Sequence, residues 1–202
     1  MPRKDLHPRQ RLDAPTRTSA IIDAAADCFT RRPYAEVTVA EIAAAAGASE
    51  PLVYRYFATK ATLYAAVVRH AVTELGAAQR AAIAALHPLT PVHAKIRASL
   101  GVYLDHIEHH PRAWADGLDA TQEPPEALVV RTAARETYVT ELAGLLSPNP
   151  GARHRYALWG YFGFLDGACL AWTRAGCPAD ERSPLIEAAL GSLQGALGDW
   201  AA

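Results

Sequence analysis

The side chains best suited to chemistry in this 202-residue chain crowd into one short stretch. Ser49, Glu50, Pro51, Tyr54, Arg55, Tyr56 and Lys60 follow one another closely, with Thr38 just upstream. On a helix beginning after Ser49, the 3.6-residue period turns Leu52 or Val53, with Tyr56 and Phe57, inward. The same period leaves Ser49, Pro51, Tyr54 and Arg55 facing out. Hydroxyls, a lysine and helix N-terminal N–H groups bind phosphate oxygens, and an arginine can bridge guanine O6 and N7 in a major groove. Glu50 would repel a phosphate but can accept from a cytosine amino group, and Pro51 offers no N–H. This chemistry fits a phosphate-lined groove.

Other chemistries find little support. GxSxG, GxGxxG, P-loop and HExxH patterns are absent, and Gly191-Ser192-x-x-Gly195 has the wrong spacing for a nucleophile elbow. No catalytic residue and no cofactor are expected, and the chain does not read as an enzyme. His106 and His110 share a helical face, but a third ligand is missing nearby, so no metal is expected. Cys28, Cys169 and Cys177 form an odd set without CxxC spacing, as suits buried thiols in a reducing cytoplasm. The longest nearly apolar run, Ala157 to Leu165, is far short of the ~20 residues that span a bilayer. With no apolar leader at the N-terminus, a cytoplasmic location without membrane contact is expected.

The elements that must position the cluster read as helices. Alanine occurs 43 times against 4 phenylalanines, which favours helix over strand and predicts an all-α fold. Net charge is −1, yet residues 1–60 carry +2 and residues 61–202 carry −3, a basic front on an acidic body. Residues 1–15, with Arg3, Lys4, Arg9 and Arg11, read as a flexible basic arm able to reach a minor groove. A helix is predicted over 16–31. Thr38 and Glu41 form a capping box for a second helix that Gly47 stops, Ser49 caps a third, and Thr59 caps a long fourth helix from Lys60 to about Leu86. Two short helices joined by a tight glycine turn are a helix-turn-helix. Further helices are predicted over 91–109, around Trp114, and over 125–146, 152–175 and 183–200.

The pattern Ile21-Ile22-x-Ala24-Ala25-x-x-x-Phe29, Thr38-Val39-x-x-Ile42-Ala43-x-x-Ala46-Gly47-x-Ser49 and Tyr54-x-Tyr56-Phe57-x-x-Lys60-x-x-Leu63 resembles the DNA-binding domain of TetR-type transcriptional regulators. Pro33 stands where that family usually has glycine, and Val37 where threonine is common; neither removes an expected DNA contact. The resemblance implies a three-helix DNA-binding domain over 16–62 and a helical ligand-binding and dimerisation domain over 63–202. It implies a homodimeric, ligand-responsive regulator of double-stranded operator DNA, usually a repressor that a small effector releases. Thr38, Ser49, Tyr54, Tyr56 and Lys60 would mainly contact phosphates, while Glu50, Pro51 and Arg55 would face bases. The competing readings are a helical interaction module, or an all-α enzyme, without DNA binding.

In the second half, the spacing of Tyr103, His106, Trp114, Tyr138, Trp159 and Phe162 would equally suit a packed core, and the resemblance implies that they line a mostly apolar pocket for a hydrophobic or aromatic effector. Gly160, Gly163, Gly167 and Ala171 form a small-residue strip, and Ile186, Leu190, Leu193, Leu197 and Trp200 repeat as a 4-3-4-3 seam. Both strips are read as the dimer interface, although the seam would serve equally inside one subunit. Gly76, inside the long helix, is a candidate flexible point for coupling ligand to DNA.

Overall fold

A computed structural model describes residues 13–146 and 151–198. Among these residues every regular element is helical, in nine α-helices and two 3₁₀ turns. The basic arm residues Arg3, Lys4, Arg9 and Arg11, and Trp200, lie outside the described residues.

Helix α1 spans Ala14–Arg31, two residues longer at its start than the periodicity predicts. The reason is local. The Asp13 carboxylate accepts from the Thr16 N–H at 2.9 Å, and Pro15 sits in the first turn, where its missing N–H costs nothing. A 3₁₀ turn at Tyr34–Glu36 leads to α2, Val39–Ala45. The capping box forms as expected: Thr38 N–H donates to the Glu41 carboxylate at 2.8 Å, and Glu41 N–H donates to Thr38 Oγ1 at 3.3 Å. Gly47, with φ of +59°, makes the left-handed turn that ends α2.

Helix α3 is Glu50–Tyr56 and α4 is Lys60–Ala84, about 37 Å long at 1.5 Å per residue. Thr59 caps α4 with Thr62 as its reciprocal partner, both backbone-to-hydroxyl bonds being 3.0 Å. Ser49, in contrast, makes no side-chain capping bond; its carbonyl starts α3 and its hydroxyl stays free among the described residues. The remaining helices are α5 Val92–His109, α6 Pro111–Asp116, α7 Pro125–Leu145, α8 Ala152–Arg174 and α9 Arg182–Leu197.

Two apolar cores form. The head core joins Ile21, Phe29, Val37, Ile42 and Val53 to Leu63, Tyr64 and Val68 of α4. The expected break after residue 62 therefore falls inside a continuous helix, whose first turns complete the head. The second core collects α5, α7, α8 and α9 around Leu104, Ile107, Leu158, Cys169 and Leu193. Helix α4 packs on α5 and α7, which makes it the strut between the two.

The strip on α9 corrects an expectation. Ile186, Leu190 and Leu193 are buried in the protomer's own core, and Leu197 packs against it. Large aliphatic side chains gain most from burial, so the 4-3-4 seam turns inward. Helix α9 turns Ala188, Gly191 and Gly195 outward instead.

Candidate DNA-binding surface and ligand cavity

The short α3 is held by one fully buried residue, Val53, while Ser49, Glu50, Pro51, Tyr54 and Arg55 are exposed. Tyr54 is 44% exposed, an unusual placement for a tyrosine with no partner to cover it. Thr38 is exposed at the start of α2, and Tyr56 is half-buried with the Arg55 guanidinium 5.6 Å from its ring centroid. The structure thus gathers most of the sequence-expected DNA contacts on one polar face.

Lys60 departs from its expected role as a free phosphate contact. Its Nζ donates to the carbonyls of Tyr34 at 2.9 Å and Val37 at 3.0 Å, and lies 4.2 Å from the Tyr34 ring centroid. Two of its three donors are spent tying the start of α4 to the segment that enters α2. One N–H remains for a phosphate.

Below the head lies a cavity of about 1010 Å³. Tyr103, His106, Trp114, Tyr138, Trp159 and Phe162 all line it, as the resemblance implies. Its walls also include Phe29 and Tyr34 of the head and Tyr64, Leu75 and Ile83 of α4. The cavity therefore touches the DNA-binding unit itself. Trp114 Nε1 donates to the Tyr103 hydroxyl at 3.0 Å, and the Tyr138 hydroxyl donates to the Val72 carbonyl at 3.2 Å, bracing α6 to α5 and α7 to α4. Burial pushes the Tyr138 phenol up to about 12 and holds the His106 imidazole down to about 4, so both are neutral at pH 7.

Two polar ties join this domain to the head. The Arg112 guanidinium of α6 donates to the carbonyls of Phe29 at 3.4 Å and Thr30 at 3.0 Å, satisfying the end of α1. The Tyr64 hydroxyl donates to Glu123 at 2.6 Å, and Arg131 of α7 grips the same carboxylate with Nε at 2.6 Å and Nη2 at 2.5 Å. Burial and that carboxylate hold the Tyr64 phenol well above its ordinary range. A methyl group at Gly117 would overlap the Arg131 guanidinium, so this glycine provides its seat. No spacing in the sequence links Tyr64 to Glu123, which are 59 positions apart. Gly76, the expected flexible point, is buried, and a Cβ there would meet Arg80 at 3.2 Å and Tyr138 at 3.8 Å. Its visible role is close packing.

Gly160, Gly163, Gly167 and Ala171 are exposed on α8, and nothing lies within 4 Å of a Cβ built on any of the three glycines. The exposed Tyr156 and Trp159 stand beside them. Among the described residues no helix is long and apolar enough to cross a membrane.

A two-helix unit on a three-helix head, set by one long strut on a helical domain with a cavity, is the architecture of helix-turn-helix regulators. Residues 21–67 match the family described as bacterial regulatory proteins, tetR family. The head thus matches that family, and the chain carrying it has the fold of tetR-type regulators. The HTH-type transcriptional activator FasR of Mycolicibacterium smegmatis is 31% identical over 143 residues, covering 70% of this chain. The chain spans 64% of that relative's length. A tetR-family regulator from Streptomyces coelicolor superposes with a TM-score of 0.73 at 24% identity, over 92% of this chain and 80% of its own. The regulator FadR of Bacillus subtilis, solved in complex with stearoyl-CoA, superposes with a TM-score of 0.67 at 18% identity, over 89% of this chain and 97% of its own.

Proposed function

We propose that this protein is a homodimeric transcriptional regulator that binds operator DNA through α2 and α3 and leaves it, as a repressor, when a small apolar ligand enters the cavity. One observation carries the reading: α4 both starts beside the recognition helix and lines the cavity, and Phe29 and Tyr34 of the head share that lining. In this reading, ligand occupancy displaces α6 and the loop before α7. The Arg112 and Tyr64–Glu123–Arg131 ties then carry that displacement into the head. Thermodynamic reciprocity requires operator DNA to weaken ligand binding by the same factor.

Two copies would meet through the exposed small-residue faces of α8 and α9, whose glycines allow close helix approach and whose Tyr156 and Trp159 would be covered. Their recognition helices would then enter successive major grooves with half-sites about 34–36 Å apart. Ser49, Tyr54, Tyr56, Thr38 and the remaining N–H of Lys60 would hold phosphates, with Glu50, Pro51 and Arg55 toward bases. The test is DNase I footprinting on the promoter region beside its own gene. A protected site with two-fold symmetry is expected; binding without a protected site, at concentrations where DNA is retained, contradicts the reading.

A further inference from the structure

Each arginine in the cavity wall already has a carboxylate partner. Arg131 is held by Glu123, whose side chain is wholly buried, and Arg135 Nη2 donates to both oxygens of Asp166 at 2.9 and 2.8 Å. The Arg135 guanidinium also lies 5.1 Å from the Phe162 ring centroid. Arg80 is paired with Glu141 at 3.0 Å. The lining carboxylates without an ion-pair partner are Asp27 and Glu74, which are exposed, and the half-buried Asp116 at the end of α6.

Unused hydrogen-bonding capacity resides instead in two neutral groups one turn apart on α5. The Tyr103 hydroxyl accepts from Trp114, but its own proton finds no acceptor among the described residues. The His106 imidazole makes no hydrogen bond among the described residues and touches the His110 ring, with centroids 5.6 Å apart. Its depressed basicity, caused first by burial, leaves it as a neutral imidazole with one donor and one acceptor. Leu100, Trp114, Phe162 and Leu165 share the cavity wall with this pair, and the paired Arg135 and Asp166 act on Tyr103 as Arg131 does on His106.

Resting on the reading of this cavity as the ligand site, we infer that its ligand is an uncharged, largely apolar molecule whose carbonyl oxygen accepts a hydrogen bond from Tyr103 beside His106. A carboxylate or phosphate ligand needs a cation, and the charge of each guanidinium in the wall is already balanced by a carboxylate. Drawing Arg131 to the ligand would leave Glu123 buried with only the Tyr64 hydroxyl, a costly arrangement. A permanent cation finds Glu123 and Asp166 taken by arginines, which leaves it, among the described residues, only the half-buried Asp116 and the exposed Asp27 and Glu74. A neutral carbonyl disturbs neither pair and accepts the Tyr103 proton that lacks a partner among the described residues.

The experiment compares methyl decanoate, decanoate and decyltrimethylammonium, below their micellar concentrations at pH 7.5, on the full chain. These probes share a chain length and differ at the head. Saturable quenching of tryptophan fluorescence, Trp114 being in the wall, reads binding. The ester is expected to bind at least tenfold more tightly than either ion. Tyr103→Phe, with an unchanged circular dichroism spectrum, should weaken the ester about fivefold to tenfold and leave the ions unaffected. An ion binding as tightly as the ester overturns the inference while leaving the cavity a ligand site. An ester affinity unchanged in Tyr103→Phe also overturns it. Failure of all three probes to bind overturns the cavity reading and this inference with it.

Discussion

Replacing Tyr64 by phenylalanine removes one hydroxyl from the junction between head and cavity domain and leaves the rest of the packing. The ring keeps its edge contact with Phe29 and its tilted contact with Tyr34, at centroid distances of 4.8 and 5.0 Å. What disappears is a 2.6 Å donor to a carboxylate that water does not reach. A hydrogen bond to a charged group contributes about 1.5–3 kcal/mol. Arg131 still holds both oxygens of Glu123, which places the expected loss near ~2 kcal/mol. At ~2–4 °C per kcal/mol for a chain of this size, the melting midpoint should fall by about 4–8 °C. Urea unfolding followed by circular dichroism measures the loss, and a cycle with Glu123→Gln measures the coupling, expected at about 1 kcal/mol or more. The bond crosses from the head core to the loop before α7, so Tyr64→Phe should also weaken the effect of any ligand on operator affinity. A loss below about 0.5 kcal/mol with an additive cycle would refute the view that this network ties the two units.

Hydrogen bonds from Thr38, assisted by Arg32, hold the Glu41 carboxyl down to about 2 from an ordinary 4.5. Its stabilising contribution is complete above pH 4.5 and lost as pH falls through about 2, so Glu41→Gln should flatten the acid limb of a plot of melting temperature against pH in that window. Lys60→Ala strips donors from two carbonyls and should cost stability, by about 1–3 kcal/mol, as well as DNA affinity; loss of affinity alone, with unchanged urea unfolding, would return Lys60 to a purely phosphate-binding role. Gly163→Leu meets nothing within its own protomer and should leave the helical signal intact while raising the monomer fraction in analytical ultracentrifugation; an unaltered dimer places the interface elsewhere.

The head was legible because its determinants are local. Thr38 with Glu41, Gly47 at positive φ, and the inward Val53 each announce a cap, a turn or a face within a few residues. The aromatic residues that line the cavity read as core by spacing alone, and only the family resemblance suggested a pocket among them. Long-range polar ties were not legible. Lys60 looks like a surface cation by spacing, and only the approach of the Tyr34–Val37 segment, 23 to 26 positions away, engages it. Glu123 reads as a loop residue before two prolines, yet Tyr64 and Arg131 bury it. The α9 seam illustrates a different limit: periodicity finds the apolar stripe but not whether a protomer's own helices or a partner's cover it. Here α5 and α8 do, and the small residues take the outer face.

Operator recognition by the exposed face of α3 is the central claim, and selection from a pool of random-sequence DNA duplexes on the full chain tests it directly. The account predicts enrichment of an inverted repeat whose half-sites lie about one helical turn (~34–36 Å) or a little more apart. It also predicts that Arg55→Ala loses a base preference in each half-site, at a cost of about 1–3 kcal/mol on the selected sequence and little on random DNA. Failure to enrich any sequence over the starting pool, under salt conditions where the chain retains DNA, would contradict it.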